Sequence, residues 1–265
     1  MKGIALVGTG RLAESLARTF AGRIAVVAGR DASRVTTLAG LAGARAASLA
    51  DVAVADVDLV WIATSDASIS SVADAIARGR ENWTDVVVVH SAGALDTAPL
   101  APFIARGARA LALHPNASVR GDAPMPQRTI WGVTPSDEVS LATARGILGD
   151  DGNRLLGIDE AHRTLYHAAA TAAANFSVTL FAMAENLYRE AGVDGEEAAE
   201  LVAGFMRTSV LRSHIEGAAA AMTGPIVRGD DAVVAAQLAA VRDLDGEIGA
   251  AFEALVMLTR RVLRS

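Results

Sequence analysis

Apolar residues recur along this chain in two rhythms, and the change between them divides it. In the first half, short continuous apolar runs at 4–7, 24–28 and 58–63 alternate with stretches of helical spacing. Such runs are the mark of strands buried on both faces. A short strand near 44–47 and further runs at 85–89, 108–113 and 128–133 continue the series, with helices over about 32–41 and, following Thr64-Ser65-Asp66, to about 78. Strands alternating with helices predict an α/β fold, a doubly wound parallel sheet whose ligands sit beyond the carboxyl ends of the strands. From Asp159, a helix-capping residue, the rhythm turns helical and runs to Gly192. Roughly 33 residues in one helix span about 50 Å. Helices over about 196–216, 231–241 and 244–263 follow, with a Gly-Pro loop at 223–230. The expected organisation is a sheet domain over 1–154 and an all-helical C-terminal domain with one long helix over 155–265, the boundary falling near 152–157.

The first turn carries chemistry. Gly8, Gly10 and Ala13 form G-x-G-x-x-A directly after the opening strand and before helical spacing. In this context Gly8 makes the tight turn, Gly10 lets backbone approach a pyrophosphate, and Ala13 lets the helix press on the strand. Unpaired amides around Thr9, Arg11 and Leu12 then face the anion. At the end of the second strand, where a chain preferring NAD places a carboxylate, stand Gly29 and Arg30, with Ser33 and Arg34 close behind. Guanidinium groups fork onto a phosphate, so this predicts NADP. Asp31 reads as the cap of the next helix. Thr64, Ser65, His90 and Ser91 fall at carboxyl strand ends and join the expected cofactor contacts.

Composition narrows the classes. With 265 residues, 52% hydrophobic and 20% charged, the chain is globular and long enough for two domains. A net charge of −6 argues against a nucleic-acid partner. The absence of cysteine excludes disulfides, thiolate catalysis and cysteine-ligated metals, and no metal site is expected. The most apolar stretch, 168–184, is interrupted by Asn175 and is short for a bilayer span, so no membrane partner is expected and a cytoplasmic location is.

Three polar groups point to a substrate cleft. His114 ends a strand before Pro115 and titrates near neutrality, so it can give a proton to a carbonyl oxygen as hydride arrives. His90 and Ser91 end the neighbouring strand. On the long helix Arg163, His167, Thr171 and Asn175 are spaced by four, along one face. Arg163 could clamp the carboxylate of an anionic small-molecule substrate, with His167 and Asn175 orienting the reacting oxygen. Tyr166 and Thr164 blur that face, which also reads as a solvated helix edge.

Four segments carry a resemblance: 90–94 (HSAGA), 112–115 (ALHP), 166–170 (YHAAA) and 223–230 (TGPIVRGD). Through them the chain resembles a bacterial family of Rossmann-like proteins whose helical C-terminal domain is like that of 6-phosphogluconate dehydrogenase. More distantly it is similar to ketopantoate reductase, pyrroline-5-carboxylate reductase and prephenate dehydrogenase. The resemblance implies an NADPH-dependent reductase of a small oxo or imino acid, such as a ketopantoate-like acid, and a homodimer formed through the helical domain. In prephenate dehydrogenases a comparable His-Pro carries the catalytic histidine, which points to His114. Ketopantoate reductases use a lysine on the long helix near where Arg163 stands, and arginine is a poor proton donor. A catalytically silent NADP-binding regulatory or scaffold protein is the alternative.

Overall fold

A computed structural model of the chain describes residues 2–149 and 152–264. Eight strands are formed: β1 (Ile4–Val7), β2 (Ile24–Ala28), β3 (Arg45–Ala47), β4 (Leu59–Ile62), β5 (Val87–His90), β6 (Arg109–Pro115), β7 (Ile130–Pro135) and β8 (Arg154–Gly157). Between them lie α1 (Arg11–Thr19), α2 (Ala32–Ala42), α3 (Leu49–Val54), α4 (Asp66–Ala77), α5 (Ala101–Ile104) and α6 (Glu138–Leu148). They make one sheet in the order β3-β2-β1-β4-β5-β6-β7-β8. The first six strands are mutually parallel; β7 runs antiparallel to β6, and β8 parallel to β7. The doubly wound sheet expected from the sequence is therefore present, extended by a reversed pair at one edge.

Side-chain alternation sorts the core into two layers. Ile4, Leu6, Leu59, Trp61, Val89, Leu111 and Leu113 face one side with α1, α2 and α6. Ala5, Val7, Val60, Ile62, Val88 and Ala110 face the other, with α3, α4 and α5. β8 was not read as a strand. Its four residues, the last of them Gly157, carry no apolar alternation, and only the β7 edge makes a strand of them.

After β8 come α7 (Arg163–Glu190), α8 (Gly195–Glu216), α9 (Ala218–Ala221), α10 (Pro225–Arg228), α11 (Asp231–Leu244) and α12 (Gly246–Val262). The long helix is real, although its first turn, Glu160–His162, is a 3₁₀ turn capped by Asp159, whose carboxylate accepts from the Ala161 amide at 2.9 Å. It stops at Gly192 (φ 89°), where the Val193 amide donates back to the Tyr188 carbonyl at 3.0 Å. One single helical turn, α9, precedes the Gly-Pro loop and another, α10, lies within it. By contacts the chain falls into two units, Met1–Thr171 and Ala172–Ser265, so α7 gives its first turns to the sheet unit. No helix among the described residues is long and apolar enough to cross a membrane.

Candidate active site

The first turn is built as its glycines require. Gly8 sits at φ 125°, and a Cβ on it would lie 2.3 Å from the Ala63 carbonyl oxygen, so only glycine lets the β4–α4 connection cross so closely. Gly10 caps α1 without a side-chain bond, and a Cβ there would meet nothing within 4 Å. That open space lies over the unpaired amides of the first turn of α1. Ala13 is fully buried against the strand.

A cavity of about 520 Å³ opens at this point, on the carboxyl ends of β1, β2 and β4. Of the expected cofactor residues, Gly8, Thr9, Gly10, Arg11, Leu12, Gly29, Arg30, Arg34, Thr64 and Ser65 line it. Ser33 does not; it lines a neighbouring hollow shared with Thr9 and Arg34. Asp31 caps α2 by accepting from the Arg34 amide at 3.1 Å. Among the described residues neither Arg30 nor Arg34 enters an ion pair, so two exposed guanidinium groups stand free at one end of the cavity. Ser68 and Ser71 also line it and were missed by sequence reading. Their signal was the three-residue spacing from Ser65 along the start of α4.

His90 and Ser91 do not reach this cavity. His90 is fully buried; its Nε2 contacts the Asp96 carbonyl at 2.6 Å and its Nδ1 accepts from the Ala92 amide at 3.2 Å. Ser91 accepts from Trp61 Nε1 at 2.9 Å. Both side chains hold the loop after β5 in place. Burial pushes the His90 pKa down.

Strand register carries His114 outward. Val7 pairs with Ile62, Ile62 with His90 and His90 with Ala112, so β6 runs on past the end of β5 before His114 is reached. Three strand spacings separate β1 from β6, roughly 14 Å. In the reversed pair His114 stands directly opposite Gly132. The first turns of α7 cover this point with Arg163, Tyr166 and His167, at i, i+3 and i+4 on one helix face. A Cβ on Gly132 would lie 2.2 Å from the Tyr166 hydroxyl, and one on Gly93 would lie 2.2 Å from the His167 ring. The two glycines are the seats of the two rings.

The result is a polar cluster around His114. Its Nδ1 lies 2.9 Å from the Tyr166 hydroxyl, and the His167 ring crosses it at 89° with centroids 5.4 Å apart. Asn116 Nδ2 donates to the Tyr166 oxygen at 2.7 Å and to the Ile130 carbonyl at 3.0 Å, which fixes its orientation. Burial, then the nearby His167 and Arg163, lower the His114 pKa to about 4. Burial raises that of Tyr166. At neutral pH His114 is therefore an uncharged imidazole and Tyr166 an intact phenol.

Arg163 departs from expectation. It is 1% exposed, with Nη1 donating to Thr134 Oγ1 at 2.9 Å and Nη2 to the Ala92 carbonyl at 3.0 Å. Its guanidinium ties α7 to β7 and to the loop after β5, and is not an open carboxylate clamp. Only Nε lacks a partner. Asn175 is exposed on the part of α7 that belongs to the second unit and is not among the residues gathered here. The row spaced by four is thus realised only in its first half. Tyr166 and Asn116, which complete the cluster, were missed: their pairing spans 50 residues, and Tyr166 sits one place off the four-residue row.

Comparison with known proteins agrees with this architecture. Residues 3–115 match the model of a Rossmann-like domain, and residues 129–259 match Domain of unknown function (DUF2520). The second match begins at β7, so it takes in the reversed edge of the sheet as well as the helices. Among solved structures it is similar to BF3122, a candidate NADP oxidoreductase from Bacteroides fragilis, at 20% identity and TM-score 0.78, over 98% of each chain. Protein TM1727 from Thermotoga maritima follows at 25% identity and TM-score 0.75, again over 98% of each. A pyrroline-5-carboxylate reductase from Coxiella burnetii has the same fold at 14% identity and TM-score 0.64, over 97% of this chain and 98% of that one. No curated protein matches the chain.

Proposed function

We propose that the chain is an NADPH-dependent oxidoreductase that reduces a small oxo or imino compound. The observation that carries this reading is the pairing of two features on one sheet edge. One is a dinucleotide-sized cavity with open helix amides and two unpaired arginines; the other is a histidine cluster about three strands away. The pyrophosphate fits the amides at Gly10–Leu12, and a ribose 2′-phosphate fits Arg30 and Arg34. Bound NADPH would supply hydride to the substrate carbon. His114 then serves the reacting oxygen or nitrogen, while His167 bounds the seat. Residues 1–154 hold the coenzyme, and 155–265 supply the remaining substrate contacts and a self-association surface.

An acid substrate, ketopantoate-like or otherwise, loses its expected clamp because Arg163 is committed within the protein. The commitment of Arg163 is also the observation that favours the second reading, a catalytically silent NADP-binding regulator. Calorimetry and turnover separate them. NADPH should bind more tightly than NADH, and Arg30→Ala should remove about tenfold of that preference, near 1.4 kcal/mol. Following NADPH absorbance over small ketones, imines and oxo acids, turnover that collapses in His114→Gln supports the enzyme. Tight binding without turnover on any of them supports the regulator.

The helical unit supports a homodimer. Its buried apolar residues among those described are Ala198, Val202, Val234, Val241 and Val256, while Phe176, Val178, Phe205, Val210, Leu211, Ile215 and Met257 are each more than half exposed. So small a core does not hold a helical domain of this size, and a second copy laid on the exposed faces would complete it.

A further inference from the structure

We propose that Tyr166 passes a proton through His114 to the reacting atom: its phenolic hydrogen rests on Nδ1, and the Nε2–H is the donor offered to substrate. This rests on the reductase reading above and assigns the proton source within that site.

The hydrogen bonds around the phenol favour one direction. Asn116 Nδ2 is a donor, because the same nitrogen serves the Ile130 carbonyl, so the Tyr166 oxygen accepts from it. Among the described residues His114 Nδ1, at 2.9 Å, is the one acceptor beside the phenolic hydrogen, so that hydrogen is directed at it. An imidazole that accepts at Nδ1 carries its own hydrogen on Nε2, and Nε2 has no hydrogen-bond partner among the described residues. The ring is held in place by Gly132 opposite it and by the perpendicular rings of Tyr166 and His167.

The charge state requires a supply of this kind. The titratable or charged groups facing His114 are Arg163, Tyr166 and His167, all from α7; from β7 and the loop after β6 come Gly132 and Asn116, which do not titrate. With one cation and a second imidazole beside it, the buried ring stays neutral, and a neutral imidazole gives up Nε2–H readily only as Nδ1 gains a proton. As hydride reaches the carbonyl carbon, the C=O π pair moves to oxygen, and that oxygen bonds the Nε2 hydrogen. The electron pair left on Nε2 shifts through the ring, Nδ1 bonds the phenolic hydrogen, and Tyr166 becomes a phenolate. Asn116 Nδ2–H and the Arg163 guanidinium, 5.8 Å from the Tyr166 ring, stabilise that anion. A proton from solvent water then restores the phenol. Tyr166 is thus a positioning residue acting through His114.

The test reads the ring nitrogens directly, without coenzyme. Long-range proton–nitrogen correlation spectra of ¹⁵N-labelled protein at pH 7, with His114 assigned by its loss in His114→Gln, should show a bare Nδ1 and a protonated Nε2. Tyr166→Phe keeps the ring over Gly132 and removes only the hydroxyl. It should mix the two tautomers and lower kcat about 10²-fold on the best substrate of the reductase panel, with KM little changed. Asn116→Ala should move the spectrum the same way and less. A protonated Nδ1 in the native protein overturns the proposal, as does a Tyr166→Phe protein with unchanged ring signals and unchanged kcat. Failure of NADPH to bind in calorimetry would defeat the coenzyme reading instead, and leaves the spectrum to be judged by itself.

Discussion

Residues Met1–Thr171 and Ala172–Ser265 solve the same problem with different means. The sheet unit buries Trp61, Trp83, Trp131 and Phe103 completely or to within 1%, in two layers that close around one sheet. Among the described residues the largest side chains buried in the helical unit are valines, while Phe176, Phe205 and Ile215 are exposed and Phe181, Phe252, Ile226 and Ile248 are only half-buried. A sheet covered on both faces supplies its own partners for most of the apolar residues on its strands. A set of helices with apolar residues on more than one side does not. The contrast teaches that site precision here belongs to the self-sufficient unit, and it is the ground for the homodimer proposed above, in which a second copy would finish the helical unit.

The comparison can be broken from either side. Trp61 packs beside Phe20 at 5.5 Å and Trp131 at 6.2 Å and donates to Ser91, so Trp61→Ala should cost about 3–5 kcal/mol in denaturant unfolding. A cost below about 1 kcal/mol would remove the claim that this core is closed. Next in size, Phe205→Glu with Ile215→Glu should weaken self-association about 100-fold, near 2.8 kcal/mol. Sedimentation equilibrium would show monomer with intact helical content. A monomeric native protein ends the idea that the helical faces are covered by a second copy.

Two smaller effects sharpen it. Gly132→Ala should cost about 1–3 kcal/mol, since the new methyl group must displace the Tyr166 hydroxyl. Its unfolding curve should move while the helical unit's self-association stays unchanged. The last concerns pH. His114 and His90 both have pKa values lowered in the folded state, His114 from 6.5 to about 4. The unfolded chain therefore binds more protons in that window, and stability present above pH 6.5 should be lost as pH falls toward 4. His114→Gln should flatten part of that slope in melting curves taken across the range.

How much of this was legible in the sequence follows the same division. The glycine turn was readable because each position has a local reason, and Gly8 and Ala13 show those reasons in the structure. The long helix begins and ends within a few residues of the expected places because Asp159 and Gly192 are local signals. Arg163 was misread because a buried arginine and a substrate clamp have the same spelling; the acceptors that bind it, Thr134 and the Ala92 carbonyl, lie 29 and 71 residues away. Tyr166 was hidden for a related reason, since a face chosen by spacing of four omits the i+3 position. β8 was invisible because only its neighbour makes it a strand.

Gly93 and Gly132 have a use outside this molecule. Each is vacant so that an aromatic side chain from far along the chain can occupy its volume, and a single added methyl at either spot leaves that ring nowhere to go. Any protein of this architecture bearing alanine at the equivalent of either position must arrange the pocket around its histidine differently, so two letters of sequence sort such proteins before any of them is purified.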